Sequence, residues 1–396
     1  MSPGCAMIDS PRELAGVVAS AARAAVLAVD TEFMSEDTYY PLLCLVSLAW
    51  PGGAAVVDAL AVDDLSGLGA LLADGDRTVV MHGSSQDLPL LRRRAKAVPA
   101  RLFDTQMAGA FLGYGQAGYG RLVEAVLDTT LPKAAGFTDW SRRPLATDQI
   151  AYACQDARLL LPLHEQLRSA AAARGRLAWV EEECGRLVVA GSGERDPGEV
   201  WRRVDGARRL KPKELAVLRE LAAWREATAA HLNIPVGYVA RDVVLTTLSM
   251  RPPGSLEELS GTRGLSEGQV RKHGRGVMDA IRAGLARPRD QWPAWPKPPA
   301  EEPEGKLISD ILHCWIQKRA GEEDILPSLL ATRDDLDAFR RWIHGGASGE
   351  GPAVMQGWRG GLVGQDLFEI AQGRVAVRVE RGRVVLERPL GNNQPH

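Results

Sequence analysis

The sequence lacks the features that mark several common protein classes. No apolar stretch reaches the ~20 uninterrupted residues of a membrane-spanning helix, because Arg, Asp or Pro breaks each one. The leading residues, Met1 to Pro11, carry Asp9 and no basic cluster ahead of an apolar run, so neither a secretory signal nor a membrane span is expected. Cysteine is scarce and scattered. Cys5, Cys44, Cys154, Cys184 and Cys314 contain no CxxC pair, and an odd, dispersed set argues against a disulfide framework and against a zinc site. His82, His164, His231, His273, His313, His344 and His396 show no zinc spacing either. A cytoplasmic location is the resulting expectation.

An overall basic excess is missing too. The formal net charge is -2, a poor first match to a nucleic-acid binder. Its distribution changes that reading: between Ala207 and Asp290 there are 15 Lys and Arg against 9 Asp and Glu, a net of +6. A phosphate-attracting module or an ordinary solvated basic face would each produce this concentration.

What is present is a chain of 396 residues, 45% hydrophobic and 25% charged, long enough for two or three separately packed units. Ala24 to Asp30, Leu43 to Ala49, Ala54 to Asp58, Thr78 to Met81 and Leu102 to Asp104 read as short strands, with helical spacing at Leu65 to Leu72 and Asp87 to Arg94. That alternation predicts an α/β domain with a mixed sheet. From about Gly120 the pattern becomes helical, through Arg121 to Val126 and Ala146 to Leu167, and a helical unit runs from Pro212 to Leu285. Pro288, Pro293, Pro296, Pro298, Pro299 and Pro303 then form a stiff linker to a last helical unit. This unit echoes the previous one: Trp224, Pro235 and Arg241-Asp242 recur as Trp315, Pro327 and Arg333-Asp334, at offsets of 91, 92 and 92 residues.

The chemistry-bearing residues are acidic. Asp30 and Glu32, at i and i+2 after an apolar run, fall on one face of a strand and can approach one cation, while Thr31 and Phe33 point the other way, toward packing. Asp87 opens a helix after His82-Gly83-Ser84-Ser85-Gln86, where it serves either as an N-cap or as a third acid facing the pair. Tyr152 and Asp156, four apart in a helical run, share one face. A carboxylate set suits hard divalent ions. Tyr, with an ordinary pKa near 10, suits hydrogen-bonded positioning better than general-base work at neutral pH.

This ordered set resembles the ribonuclease D type of the DEDD exonuclease superfamily, in its tyrosine-containing subclass. The strings that carry the resemblance are VDTEF (29–33), TYYPLLCLV (38–46), HGSSQDL (82–88), DWSRRPL (139–145) and QIAYACQDARLLLPL (149–163). Trp224-Arg225-Glu226, Arg263-Gly264-Leu265 and His273-Gly274 resemble a helicase-and-RNaseD-C-terminal (HRDC) domain, and GWRGGLVGQDL (357–367) resembles the second helical domain at the end of such proteins. The resemblance implies a ribonuclease H-like mixed-sheet exonuclease domain over residues 1–205, an HRDC domain over 206–290, the linker over 291–305, a second HRDC-like helical domain over 306–375 and a tail over 376–396.

It also implies roles. Asp30, Glu32, Asp87 and Asp156 would hold two divalent cations, Mg²⁺ or Mn²⁺, roughly 4 Å apart, for water activation and stabilisation of the leaving 3′ oxygen. Tyr152 would orient the water, with Glu32 sharing that task. Phe33 either stacks on the terminal base or packs in the core. Lys133, Trp140, Arg142 and Arg143 either line the substrate channel or form a salt-bridged surface. Arg263, Arg271, Lys272 and Arg275 would meet the RNA backbone, and Ser266 with Gln269 forms a capping-box pattern at the start of their helix. His82 is expected to be a structural hydrogen-bonding residue. The implied activity is a 3′ to 5′ exoribonuclease releasing nucleoside 5′-monophosphates from RNA 3′ ends such as those of tRNA precursors, working as a monomer. The alternatives are a single-stranded DNA exonuclease on the same fold and a non-catalytic RNA-binding protein. Ser35, Glu36 and Asp37 replace arginines common after the first motif, and Ser47 replaces a usual glutamine, which bears on substrate preference.

Overall fold

The computed structural model describes residues 5–131, 138–193, 196–295 and 304–388. Strands β1 (Ala6–Ile8), β2 (Val26–Met34), β3 (Leu42–Trp50), β4 (Gly53–Asp58), β5 (Thr78–Met81) and β6 (Leu102–Asp104) form one mixed sheet in the order β1-β4-β3-β2-β5-β6. β3 is antiparallel to β2 and β4, and β2, β5 and β6 run parallel. Local sequence sets this pattern. The turn Pro51-Gly52-Gly53, with Gly52 at φ +98°, is tight enough to return the chain antiparallel, whereas parallel neighbours need longer crossovers. Helices α1 (Pro11–Ala21), α2 (Ser66–Ala73), α3 (Asp87–Ala95), α4 (Thr105–Phe111), α5 (Tyr119–Leu127), α6 (Thr147–Ala173) and α7 (Leu177–Ser192) cover the sheet. Near-continuous burial along Leu27–Val29 and Leu43–Trp50 follows from that double cover.

A second core lies in the helical unit α8 (Pro212–Leu232), α9 (Val236–Val239), α10 (Asp242–Met250), α11 (Leu256–Ser260) and α12 (Glu267–Ala286), where Leu218, Leu221, Leu245 and Ile281 pack with Trp201 from the connector. Gly284 permits the close approach of α12 to α8, since a Cβ there would stand 2.5 Å from the Cα of Val217. The Ser266 and Gln269 capping box is formed as expected.

The last unit contains α13 (Gly305–Glu323), α14 (Pro327–Leu330), α15 (Arg333–His344), the turn α16 (Gly357–Arg359) and α17 (Gln365–Ala371). Its first three helices repeat the order of α8 to α10: a long tryptophan-bearing helix ending in a left-handed residue (Asn233, Asp324), a single turn, and a helix starting at Arg-Asp or just after its Arg. This unit packs on the exonuclease domain. Trp358 stacks on Trp179 with centroids 5.1 Å apart, meets Phe111 edge-on, and donates its indole N–H to Glu183 at 2.9 Å. Burial opposes the charge on Glu183, but hydrogen bonds from Arg359 and Trp358 outweigh it and keep the carboxyl below its ordinary pKa.

A strand not anticipated from the sequence, β1, precedes the first helix, and two expectations are corrected. The segment read as a tail contains a hairpin, β7 (Ala376–Glu380) and β8 (Arg383–Glu387). Cysteine is not free throughout: Cys5 and Cys154 form a disulfide across 149 residues, because β1, paired with β4, lies beside α6 and their Cα atoms are 6.0 Å apart. Among the described residues no helix is long and apolar enough to cross a membrane.

Candidate active site

Three elements bring the acids together. β2 presents Asp30 and Glu32 opposite Ser47 and Leu45 of β3, and the pairing register shifts immediately after Glu32. The shift leaves Cys44 without a partner in β2, while on the β4 side its carbonyl accepts the N–H of Ala59 at 3.0 Å. Asp87 is the first residue of α3. The loop delivering it turns at Gly83, φ +62°, and is held by Asp104: its carboxylate accepts the N–H of Gly83 at 3.1 Å and both the N–H and hydroxyl of Ser84 at 2.8 Å. Asp87 does not cap the helix through its side chain. Its carboxylate accepts a hydrogen bond from the Thr31 hydroxyl, so Thr31, expected only to pack, positions an acid. Tyr152 and Asp156 come from one face of α6 and are hydrogen-bonded to each other. The Asp156 carbonyl also accepts the Tyr119 hydroxyl at 2.6 Å.

Proton affinities show that these groups share one electrostatic environment. Burial raises Asp30 well above its ordinary pKa, and the charges of Glu32, Asp87 and Asp156 raise it further. Burial, Asp156 and Asp87 push Glu32 up to about 8. Asp87 and Asp156 are each pushed up to about 6 by burial, against the lowering effect of hydrogen bonds from Thr31 and Tyr152 respectively. Burial and the neighbouring Asp156 raise Tyr152, which therefore keeps its proton at neutral pH and acts as a donor. His82 behaves as a structural residue, with Nδ1 2.9 Å from the Thr105 hydroxyl and its ring edge-on to Tyr119.

A divalent cation fits the chemistry of this donor set, since four mutually repelling carboxylates are relieved by added positive charge and offer the hard oxygen ligands such ions prefer. Among the described residues, no group of three or more His, Cys, Asp or Glu is arranged to hold a metal ion as it stands. Two of the carboxylates are turned onto protein hydroxyls, Asp87 onto Thr31 and Asp156 onto Tyr152.

Comparison with known proteins decides the family. Residues 5–171 match the 3′-5′ exonuclease family model and residues 214–281 the HRDC domain. Ribonuclease D of Acidiphilium cryptum is 37% identical over 97% of both chains, and that of Sphingobium indicum 36% identical over 96% of this chain and 98% of its own. The crystal structure of Escherichia coli RNase D, described as an exoribonuclease involved in structured RNA processing, superposes with a TM-score of 0.85 at 30% identity, covering 94% of this chain and 99% of that one. The chain belongs to the ribonuclease D family. It is a metal-dependent 3′ to 5′ exoribonuclease, with a mixed α/β exonuclease domain followed by an α-helical HRDC-like region.

The other residues singled out in the sequence take up different positions. Trp140 is 2% exposed and packs behind Tyr152 with centroids 6.2 Å apart, so it supports the site's wall instead of lining a channel. Arg143 grips Asp58 with two bonds of 2.6 Å and donates to the Trp140 carbonyl at 2.8 Å, which is the salt-bridged one of the two arrangements expected for this segment. Arg142 is exposed and bridged to Asp139 at 3.0 Å. Phe33 is half-buried at the end of β2, and Lys133 lies outside the described residues. Arg263, Arg271, Lys272 and Arg275 are exposed on the HRDC unit. That unit meets the loop after β2: the Tyr39 hydroxyl donates to Glu226 at 2.7 Å, and Asn233 accepts the N–H of Tyr40 at 3.1 Å. The same loop is stacked by Arg93 of α3, 3.3 Å above the Tyr40 ring, so this loop lies between the HRDC unit and α3. Sequence spacing cannot reveal such partners, because each depends on a tertiary contact. A wide groove of about 1130 Å³, bordered by Arg101, His164 and Arg168, lies at the opposite end of β2, β5 and β6 and takes no part in this site.

Proposed function

We propose that Asp30, Glu32, Asp87 and Asp156 hold two divalent cations, Mg²⁺ or Mn²⁺, and that the chain removes nucleoside 5′-monophosphates from RNA 3′ ends. The observation that carries this reading is the convergence of the four carboxylates from β2, α3 and α6 beside Tyr152, each with its proton affinity raised. Bound cations supply the positive charge that a phosphodiester needs when water attacks and an oxygen leaves. The chain's own groups do the rest. Tyr152 keeps its proton and, on release from Asp156, donates to the attacking water and aligns it; Glu32 accepts from that water or from the terminal ribose; Thr31 and Tyr119 hold Asp87 and α6 in place. Phe33 meets the terminal base, and Arg142 meets phosphate after releasing Asp139.

The HRDC unit, assigned to residues 206–290, guides the single-stranded end through Arg263, Arg271, Lys272 and Arg275. The second helical unit, 306–375, braces the exonuclease domain, 1–205. The substrate class is a structured RNA with a free 3′ tail, typified by tRNA precursors, met in the cytoplasm by a monomer; the processing role described for the Escherichia coli protein supports that choice. The test is digestion of 5′-labelled single-stranded RNA and its DNA counterpart with Mg²⁺ or Mn²⁺. A metal-dependent ladder shortening from the RNA 3′ end, with 5′-monophosphates released, is the expected result. Preferential loss of the DNA would move the substrate to single-stranded DNA, and binding without cleavage would leave an RNA-binding role.

A further inference from the structure

The bridge between Cys5 and Cys154 lies in a position to affect turnover. Cys154 stands on α6 two residues after Tyr152 and two before Asp156, with its side chain buried. Cys5 directly precedes β1, an edge strand of three residues held to β4 by the pairs Ala6 with Ala55, Met7 with Val56 and Ile8 with Val57. The bridge therefore fastens the outer end of a very short ladder to the helix bearing two of the proposed site residues. Cys5, Cys154, Trp140 and Tyr152 also belong to one apolar cluster with Cys44, Leu45 and Val56. A change at the sulfurs thus falls within the same apolar packing that the Tyr152 ring rests on.

We propose that Cys5 and Cys154 form a thiol–disulfide exchange site through which small thiols and disulfides set the turnover of the nuclease. The inference rests on the reading of Tyr152 and Asp156 as site residues. Cys5 is half-buried while Cys154 is buried, so a reductant thiolate attacks Cys5 Sγ. The S–S bond breaks, a mixed disulfide forms on Cys5, and the electron pair leaves on Cys154, which takes up a proton. A second reductant thiol attacks the mixed disulfide and releases Cys5 as a thiol. Two thiols of the reductant become one disulfide, and the protein gains two electrons and two protons. Oxidation by a small disulfide is the reverse. In a reducing compartment such a bridge is opened, and under oxidising conditions it closes. With the bridge closed, β1 and the turn of α6 around Cys154 are clamped; with it open, β1 is held by its short ladder and packing, and Tyr152 loses part of its backing.

The experiment compares full-length protein equilibrated with reduced or oxidised dithiothreitol, alongside Cys5→Ser, which leaves Cys154 in place. Native alkylation read by mass spectrometry should label Cys314 in both states, as it is exposed, and Cys5 only after reduction; Cys44 and Cys184 are buried and should stay unlabelled. Oxidised protein should turn over RNA about tenfold faster than reduced protein at similar KM, the order expected of a small displacement of a positioned group. Cys5→Ser should stay at the reduced rate in either buffer, and reduction should raise hydrogen exchange over residues 149–157. Free Cys5 in the oxidised sample, equal turnover in the two states, or a redox response in Cys5→Ser would overturn the proposal. Absence of RNA cleavage in both states would fail the nuclease reading instead, and exchange over 149–157 would then decide the coupling: unchanged exchange overturns it and raised exchange sustains it.

Discussion

Asp30 is the residue at which folding and chemistry pull in opposite directions. Its carboxyl is raised by burial and by three other acids, so its charge costs stability in the metal-free chain. Asp30→Asn should abolish turnover by at least roughly 10²-fold, the scale of losing an electrostatic group at a reacting centre. Its melting temperature should be equal to or above that of the parent, measured without divalent ions; a marked drop would show that the carboxylate is a structural partner. The acids also set a pH dependence. Asp87 and Asp156 at about 6 and Glu32 at about 8 hold protons more tightly folded than unfolded, so metal-free stability should be greatest near pH 4 to 5 and fall as pH rises through 6 and 8. Mg²⁺ should reverse the fall at pH 8, and melting curves at pH 5 and 8 with and without the ion check this. At this scale the order of acids and the i, i+4 spacing of Tyr152 and Asp156 were legible in the sequence. The hydroxyl of Thr31 on Asp87 and that of Tyr119 on the Asp156 carbonyl were not, because each joins segments far apart in the chain.

Elements whose burial is one-sided or continuous were readable, and elements that depend on a neighbour were not. Strands β2 to β5 announce themselves as apolar runs, and the capping box of α12 is local in its sequence. β1 is only three residues and half-exposed at its start, so nothing but its pairing with β4 marks it as a strand. The C-terminal hairpin did carry a signal, the alternation of Val375, Val377 and Val379 before Arg381-Gly382, both at positive φ, but its largely exposed faces resemble a tail. The docking of the last unit depends on Trp358 between Trp179, Phe111 and Glu183, next to Gly357, which stands at φ +50° and where a Cβ would fall 2.0 Å from the Glu182 carboxylate. Trp358→Ala should cost about 3–5 kcal/mol. Denaturant melts should show it, and unchanged stability would mean that the helical unit is held by other contacts.

For the whole molecule, the proposed role of the basic middle segment in RNA capture can be tested apart from cleavage. Charge reversal of Arg271, Lys272 and Arg275 together should raise the KM for long RNA and leave turnover of short oligonucleotides near the parental value. The log–log dependence of binding on salt should shallow by roughly 0.7 per lost phosphate contact. An unchanged slope would assign the face to solvent. That a helical region follows the α/β domain was legible from the change of pattern after Gly120, and the likeness of α13 to α15 with α8 to α10 from the repeat of Trp224, Pro235 and Arg241 at Trp315, Pro327 and Arg333; residues 296–303 of the proline run lie outside the described residues. How the HRDC unit meets the loop after β2, through Tyr39 and Tyr40, was not, since neither side of that contact has a pattern of its own. The central claim is that the acid cluster is an ion site on which cleavage depends. Its most direct measurement is Mn²⁺ titration of the full-length protein followed by electron paramagnetic resonance, with RNA turnover read from the same samples and from Asp30→Asn. Uptake of two ions per chain in step with the rise of activity, and loss of both together in the variant, is the expected result; full activity in Asp30→Asn, or cleavage without ion uptake, would contradict it.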